Sequence, residues 1–365
     1  MTSKTQTKLE QLFFWGRPLS PFYSCIMANR SNLYRKGFFK QYKLEVPVIS
    51  VGNLVLGGTG KTPLVHYIAE LLQKMERKPA VLSRGYKGIA SGEVNIVSNT
   101  TDILLDAAQA GDEPRLLAEK LPGIPVLTGK KRSLTARFAL DSYGVDCLIL
   151  DDGFQHISLK RDIDLVLFSA QKLLGNGRVL PGGDLREPLS ALKRADAFII
   201  SGLDTPPDEK TGEFIRFLHD LFPGKPTFTG SYLPEETLTR ISSGRNDTLS
   251  LSEGGTIPVY GFCGIAQPQS FQNTLKKSHM NLVGFQSFDD HHAYSVHDIK
   301  SLCKNGVSSG AEALITTEKD LVKIRDLFPP GDLPLLTLSV RFQMGNDFDQ
   351  FVVRKLESSR NINRR

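Results

Sequence analysis

Six consecutive residues, Gly57-Gly58-Thr59-Gly60-Lys61-Thr62, have the types and spacing to hold a phosphate. A glycine-rich turn lets backbone N–H groups converge on an anion, and a helix opening at its end adds positive potential. A lysine in that place reaches the β- and γ-phosphates of ATP, and the hydroxyl after it sits on Mg²⁺. Lys61 and Thr62 are therefore the working pair of a P-loop. The motif departs from its usual form at one position: the first glycine, five residues before Gly60, is Val55. Gly57 and Gly58 are left to supply the positive φ of the early turn.

Four further clusters carry chemistry. Asp151-Asp152 closes the apolar run from Cys147, and Gln155 and His156 follow within reach. Carboxylates at the carboxyl end of a strand beside the P-loop strand can hold Mg²⁺ directly or through water; a plain turn is the alternative. Gly111-Asp112-Glu113-Pro114 precedes a helical run. Asp112 is either a helix cap or a base that orients an acceptor hydroxyl. In Pro181–Pro188, Arg186 and Glu187 stand side by side, as a phosphate-binding arginine and a Mg²⁺ ligand or as a surface ion pair. Phe288-Asp289-Asp290-His291-His292 sets two histidines beside two aspartates. Adjacent histidines lack the helical spacing of a zinc pair, and an acid–base histidine oriented by a carboxylate is the other reading.

The elements that must position these residues are legible as alternating strands and helices. Val48–Val51 reads as a buried strand and residues 62–76 as the helix after the loop. Pro79–Ser83, Ile124–Leu127, Cys147–Asp152, Ile163–Phe168 and Ala197–Ile200 read as further strands, with a helix ending near Tyr143. The alternation predicts an α/β fold of P-loop NTPase type, a mostly parallel sheet with helices on both faces. Residues 46–230 form that core. Residues 231–255, rich in Ser, Thr, Gly and Glu, are expected to be a connection, 256–353 a smaller C-terminal α/β domain, and 354–365 a basic tail.

Composition narrows the function classes. Four isolated cysteines give no zinc or disulfide framework and indicate a reducing, cytosolic compartment. The net charge of +6 resides wholly in residues 1–45, where eight basic residues face Glu10 and Glu45. A basic excess confined to one end argues against a nucleic-acid groove over the body. The same segment carries Leu12, Phe13, Phe14, Trp15, Leu19, Phe22 and Ile26, broken by Arg17, Pro18 and Pro21, so neither a spanning helix nor a signal peptide is expected of it. It is expected to be an amphipathic helix lying on an anionic membrane surface, or one packed on its own domain.

Taken in order, Ser50–Leu54 with Gly57–Pro63, Leu82–Tyr86, Gly111–Pro114, Leu150–His156, Pro181–Pro188, Gly261–Pro268, Asp290-His291 and Thr316–Asp320 resemble the tetraacyldisaccharide 4′-kinase (lipid A 4′-kinase) family over nearly the whole chain. The resemblance implies transfer of the ATP γ-phosphoryl group to the 4′-hydroxyl of an acylated glucosamine disaccharide 1-phosphate. It also implies a peripheral position on the cytoplasmic face of the inner membrane. By position, Lys61 and Thr62 are the P-loop pair, Asp151, Asp152 and Glu187 the acidic and metal set, and Gln155, His156 and Arg186 the surroundings of the phosphates. Asp112 with His291 is implied as the base assembly, with His292 next to it. Glu318, Lys319 and Asp320 are implied near the nucleotide base. The rival classes are a partition or assembly ATPase and a nucleotide-gated membrane-surface scaffold. The first carries a signature lysine where this chain has Leu56, and neither needs an acceptor-hydroxyl base.

Overall fold

The computed structural model describes residues 3–203, 207–242, 245–328 and 333–363. The chain divides into two compact units, one of Thr7–Tyr232 with Phe342–Arg365 and one of Met1–Gln6 with Leu233–Arg341. The passages at Tyr232 and Phe342 both fall inside strands.

The larger unit is built on β1 (Val48–Asn53), β2 (Pro79–Ser83), β3 (Asn95–Ser98), β4 (Val126–Thr128), β5 (Cys147–Asp151), β6 (Ile163–Ser169), β7 (Ala197–Ser201) and the first residues of β8 (Thr227–Ser242). Their order is β8-β7-β6-β1-β5-β2-β4-β3. All pair in parallel except β3 with β4. Strands covered on both faces read as continuous apolar runs, and β1, β5, β6 and β7 are buried at every residue. The helix Lys61–Lys74 buries Leu64, Val65, Ile68, Ala69 and Leu72, at helical spacing, in one core with Ile49, Val51, Val81 and Ile149. Each large aliphatic side chain so withdrawn contributes roughly 1.5–3 kcal/mol, which anchors the end of the phosphate loop to the sheet.

Three segments differ from the sequence reading. Residues 231–255 are not a bare connection: β8 runs on to Ser242 and pairs antiparallel with β9 (Arg245–Ser250), Thr237 opposite Ser250. Their polar residues belong to a hairpin with an exposed face. The segment after Arg354 is the end of a helix, Asn346–Asn363, as far as the described residues go. Phe348, Phe351, Val352 and Leu356 recur every three to four residues and are buried in the same core as Ile68, so the polar composition is only that helix's outer face. The N-terminal segment is two helices, Ser3–Gly16 and Ser20–Arg35, joined by a tight turn at Arg17–Leu19 where Pro18 interrupts the ladder.

In the smaller unit, β10 (Val259–Cys263), β11 (Leu282–Ser287), β12 (Ala313–Thr317) and β13 (Leu335–Met344) run in the order β11-β10-β12-β13, all parallel. Helices Pro268–Lys277, Val296–Ser308 and Glu318–Ile324 connect them.

Candidate functional site

In the larger unit the residues expected to act gather at the carboxyl ends of β1, β5 and β2, where parallel α/β sheets bind ligands. The turn from β1 into the helix at Lys61 is the phosphate loop. Gly57 has φ +103° and Gly60 φ +83°, so Gly57 and Gly60, and not Gly58, take the left-handed positions. Gly60 is also sterically required, because a Cβ there would collide with the Tyr232 hydroxyl. The missing first glycine is explained by what Val55 does. It is buried and bridges Leu185, while Leu56 N–H donates to the Asp184 carbonyl (2.8 Å) and Arg186 N–H to the Leu54 carbonyl (2.8 Å). The front of the loop is therefore a short strand zipped to residues 184–186.

That zipper delivers Arg186 to the carboxylates. One guanidinium nitrogen of Arg186 donates to both oxygens of Asp152 (3.0 and 2.9 Å), and the Lys61 ammonium lies 3.6 Å from the same group. Burial pushes the Asp152 carboxyl up, but the charges of Lys61 and Arg186 outweigh it and hold it at about 2. Asp151, the last residue of β5, is buried and accepts the Ser83 hydroxyl (3.1 Å) on one oxygen; its other oxygen has no hydrogen-bond partner. Burial, followed by the charge of Glu113, pushes Asp151 up to about 7. Gln155 donates to the Asn53 carbonyl (3.1 Å) and faces Arg186 with its oxygen (3.4 Å). His156 is driven down to about 4 by burial and then by Arg132, so its imidazole is neutral at pH 7.

Glu187, expected among the metal ligands, is instead 1% exposed and ion-paired to Arg194, with Nη2 3.1 and 3.0 Å from its two oxygens. Arg194 also donates to the Phe154 carbonyl (3.3 Å) and covers the Phe154 ring (4.4 Å to the centroid). The alternation of Arg186 and Glu187 turns one to the site and the other inward.

The Gly111–Pro114 motif opens the helix Asp112–Lys120. Gly111, φ +92°, occupies the cap position that the sequence suggested for Asp112, because a Cβ there would strike the Tyr86 carbonyl. Asp112 is then the first helical residue, buried, with its carboxylate accepting the Glu113 N–H (3.0 Å). A residue the sequence reading passed over is Arg132. It is 1% exposed, donates to the Gly129 carbonyl, and leaves two guanidinium nitrogens without hydrogen-bond partners. Its charge is felt by Asp151 and Asp152, while burial lowers its own pKa to about 10. The signal was Gly129-Lys130-Lys131-Arg132, a basic run directly after a strand end.

In the smaller unit the two histidines are distinguished by their surroundings. The His292 ring stacks on Phe288 (4.6 Å) and lies 3.3 Å from the Asp298 carboxylate, which caps the helix Val296–Ser308. His291, at φ +59°, has its ring turned toward Lys319 (3.3 Å) and Asp290 (3.8 Å), and its backbone N–H donates to the Gly264 carbonyl (3.1 Å). Glu318 and Lys319 are half-buried, whereas Asp320 is fully buried. Its carboxylate accepts the Gly264 N–H (3.0 Å) and Thr317 hydroxyl (2.7 Å) and pairs with Lys323 (2.8 Å), which fixes the loop ends around His291.

The N-terminal helices reach the same site in the larger unit. Ser20 accepts the Gly182 N–H (2.9 Å), Tyr23 donates to the Arg186 carbonyl (3.2 Å) and Arg30 to the Gln155 carbonyl (3.1 Å). Their other face leaves Trp15, Phe22 and Ile26 more than 60% exposed, with Leu12, Phe14 and Leu19 beside them. The segment therefore packs one face on its own unit and leaves an apolar face exposed. Among the described residues no helix is long and apolar enough to cross a membrane.

Comparison with known proteins gives the family. The family described as tetraacyldisaccharide-1-P 4′-kinase matches residues 12–357. A protein named tetraacyldisaccharide 4′-kinase from Desulfotalea psychrophila is 46% identical over 351 residues, covering 96% of this chain and 99% of that one. Its namesake from Syntrophus aciditrophicus is 39% identical over 348 residues, covering 93% and 91%. The crystal structure of LpxK from Aquifex aeolicus in complex with ATP aligns with a TM-score of 0.73 at 33% identity, covering 93% of this chain and 98% of that one.

Proposed function

The chain belongs to the tetraacyldisaccharide-1-P 4′-kinase family, and on that premise we propose how its residues do the work. Its activity is ATP-dependent phosphorylation of the 4′-hydroxyl of tetraacyldisaccharide 1-phosphate, a step of lipid A synthesis. The observation that carries the assignment of the site is the convergence of Lys61 and Arg186 on Asp152 at the mouth of the phosphate loop.

Phosphoryl transfer is mostly positioning and neutralisation of charge. The N–H groups of Gly57–Lys61 cradle the β- and γ-phosphates, and Lys61 and Arg186 exchange part of their interaction with Asp152 for phosphate oxygens. A divalent cation suits the neighbouring donors. Asp151 has a buried oxygen lacking a partner and a carboxyl pushed upward, the state that a nearby cation relieves. Among the described residues there is no cluster of three or more His, Cys, Asp or Glu side chains able to hold a metal alone. Mg²⁺ bound by one or two carboxylates together with substrate phosphates needs no such cage. Asp151, Asp152 and the Thr62 hydroxyl would hold it, and when bound it supplies neutralisation of the phosphate charge. Glu187 enters the proposal as the anchor of the Arg186 loop and not as a ligand.

Asp112 and His291 are both assigned to the proton of the attacking hydroxyl, with the histidine as base. Glu318 and Lys319 are assigned to the nucleotide's base end, with Asp320 beneath them as support. The exposed apolar face of the N-terminal helices, with the basic residues of positions 1–45, is assigned to an anionic bilayer on the cytoplasmic face, where the acylated acceptor resides.

Steady-state kinetics test the base assignment. Asp112→Ala and His291→Ala should each lower kcat by about 10²–10⁴-fold, the usual contribution of a positioned base, with little change in KM for ATP. If the two act as one unit, the double variant is little worse than the poorer single. Multiplicative losses would refute a shared role.

A further inference from the structure

A loop that binds phosphate through its N–H groups has a second requirement. Each peptide carries a carbonyl as well, and any carbonyl turned inward repels the anion. In this chain the loop carbonyls are held from outside by side chains of three different segments. Asn53, buried at the end of β1, donates its amide to the Val55 carbonyl (2.6 Å) and the Gly57 carbonyl (3.3 Å). Lys172, in the turn after β6, donates to the Leu56 carbonyl (3.0 Å) and is itself held by Asp184 (2.8 Å). Ser201, the last residue of β7, donates its hydroxyl to the Thr59 carbonyl (2.7 Å).

We propose that Asn53, Lys172 and Ser201 are positioning residues of the nucleotide site, a clamp that turns the carbonyls of residues 55–57 and 59 away from the phosphates. The clamp answers the departure at Val55. A loop lacking its first glycine cannot relax its front turn through backbone freedom alone, and here outside donors impose the peptide orientations. Lys172 is placed at Leu56, the position where partition-type P-loops carry their signature lysine, but it arrives from another part of the chain and bonds to the backbone. Asp184 serves twice: its carboxylate holds Lys172 and its carbonyl accepts the Leu56 N–H. Tyr232 fills the space beside Gly60. None of the three donors needs to touch nucleotide, so each acts through the loop.

The inference rests on the reading of Gly57–Thr62 as the phosphate site, and the test separates the two. MgATP, ADP, AMP and adenosine are titrated against the full-length protein carrying Ser201→Ala, Lys172→Met or Lys172→Arg, with Lys61→Ala as the reference. A net hydrogen bond lost from the loop corresponds to about a three- to tenfold rise in Kd. We expect that rise for MgATP and ADP in Ser201→Ala and Lys172→Met, a smaller one in Lys172→Arg, and none for AMP or adenosine in any of them. KM for ATP should follow Kd while kcat falls less than kcat/KM. Equal losses for all four ligands would mean general damage and overturn the clamp. So would unchanged MgATP affinity in both Ser201→Ala and Lys172→Met while Lys61→Ala loses it. Wild-type MgATP affinity in Lys61→Ala would instead overturn the P-loop reading itself. Ser201→Ala removes a single oxygen, so the test stands even if thermal unfolding shows Lys172→Met to be damaged.

Discussion

Removing the Arg194 side chain beyond its methylenes, as in Arg194→Met, should unfold the larger unit at markedly lower temperature. The variant deletes the partner of Glu187, which is 1% exposed, together with the bond to the Phe154 carbonyl and the cation over the Phe154 ring. Breaking a buried pair by removing one member costs about 3–5 kcal/mol, because the remaining charge has neither water nor counterion. For a unit of this size each kcal/mol shifts Tm by about 2–4 °C, so a fall of roughly 6–20 °C is expected by calorimetry. Adding Glu187→Gln to Arg194→Met should recover most of it, since no buried charge is then left. The same pair decides the role of Glu187. As an anchor, Glu187→Gln alone lowers Tm but leaves the Mg²⁺ concentration for half-maximal activity unchanged. An unaltered Tm in Arg194→Met, or a raised Mg²⁺ requirement in a stable Glu187→Gln, would show the reasoning to be wrong.

Two further outcomes follow from the structure. Because Tyr23 and Arg30 bond the Arg186 and Gln155 carbonyls, deleting residues 1–45 would damage the site as well as any membrane contact, and surface substitutions are the cleaner probe. Trp15→Ser with Phe22→Ser and Ile26→Ser should weaken binding to anionic vesicles, in a manner that fades with salt in the wild type, while activity on a soluble short-chain acceptor persists; undiminished vesicle binding would assign that face elsewhere. His292→Ala should lower stability by about 1–2 kcal/mol through the lost Phe288 stacking and Asp298 contact yet keep kcat, the opposite of His291→Ala, and a reversed pattern would exchange their roles.

The sequence carried the core of this picture because parallel strands buried on both faces leave unbroken apolar runs. Val48–Val51, Cys147–Asp151 and Ile163–Phe168 could be read directly, and the phosphate loop between a strand and a helix fixed where the site edge must be. What escaped were features written in tertiary contacts. β3 is a short antiparallel edge strand of mixed polarity, with no periodic signal. The helix after Asn346 hides its apolar stripe in a polar composition. Glu187 reads together with Arg186 because adjacent residues share a loop, but alternate direction sends one to the site and the other to Arg194. Arg132 reads as one of three surface cations until burial singles it out. The donors to the loop carbonyls, Asn53, Lys172 and Ser201, lie at three separate strand ends that only the sheet order brings together.

The central claim is that ATP's γ-phosphoryl group is transferred to the acylated disaccharide at the phosphate loop. The direct measurement follows a radiolabelled γ-phosphate from ATP into tetraacyldisaccharide 1-phosphate, with wild type and Lys61→Ala compared at matched folding. The account predicts label at the 4′-position with wild type, at a rate set by acceptor concentration, and almost none with Lys61→Ala. ATP turnover by wild type that leaves the disaccharide unlabelled, or equal labelling by a folded Lys61→Ala variant, would contradict it.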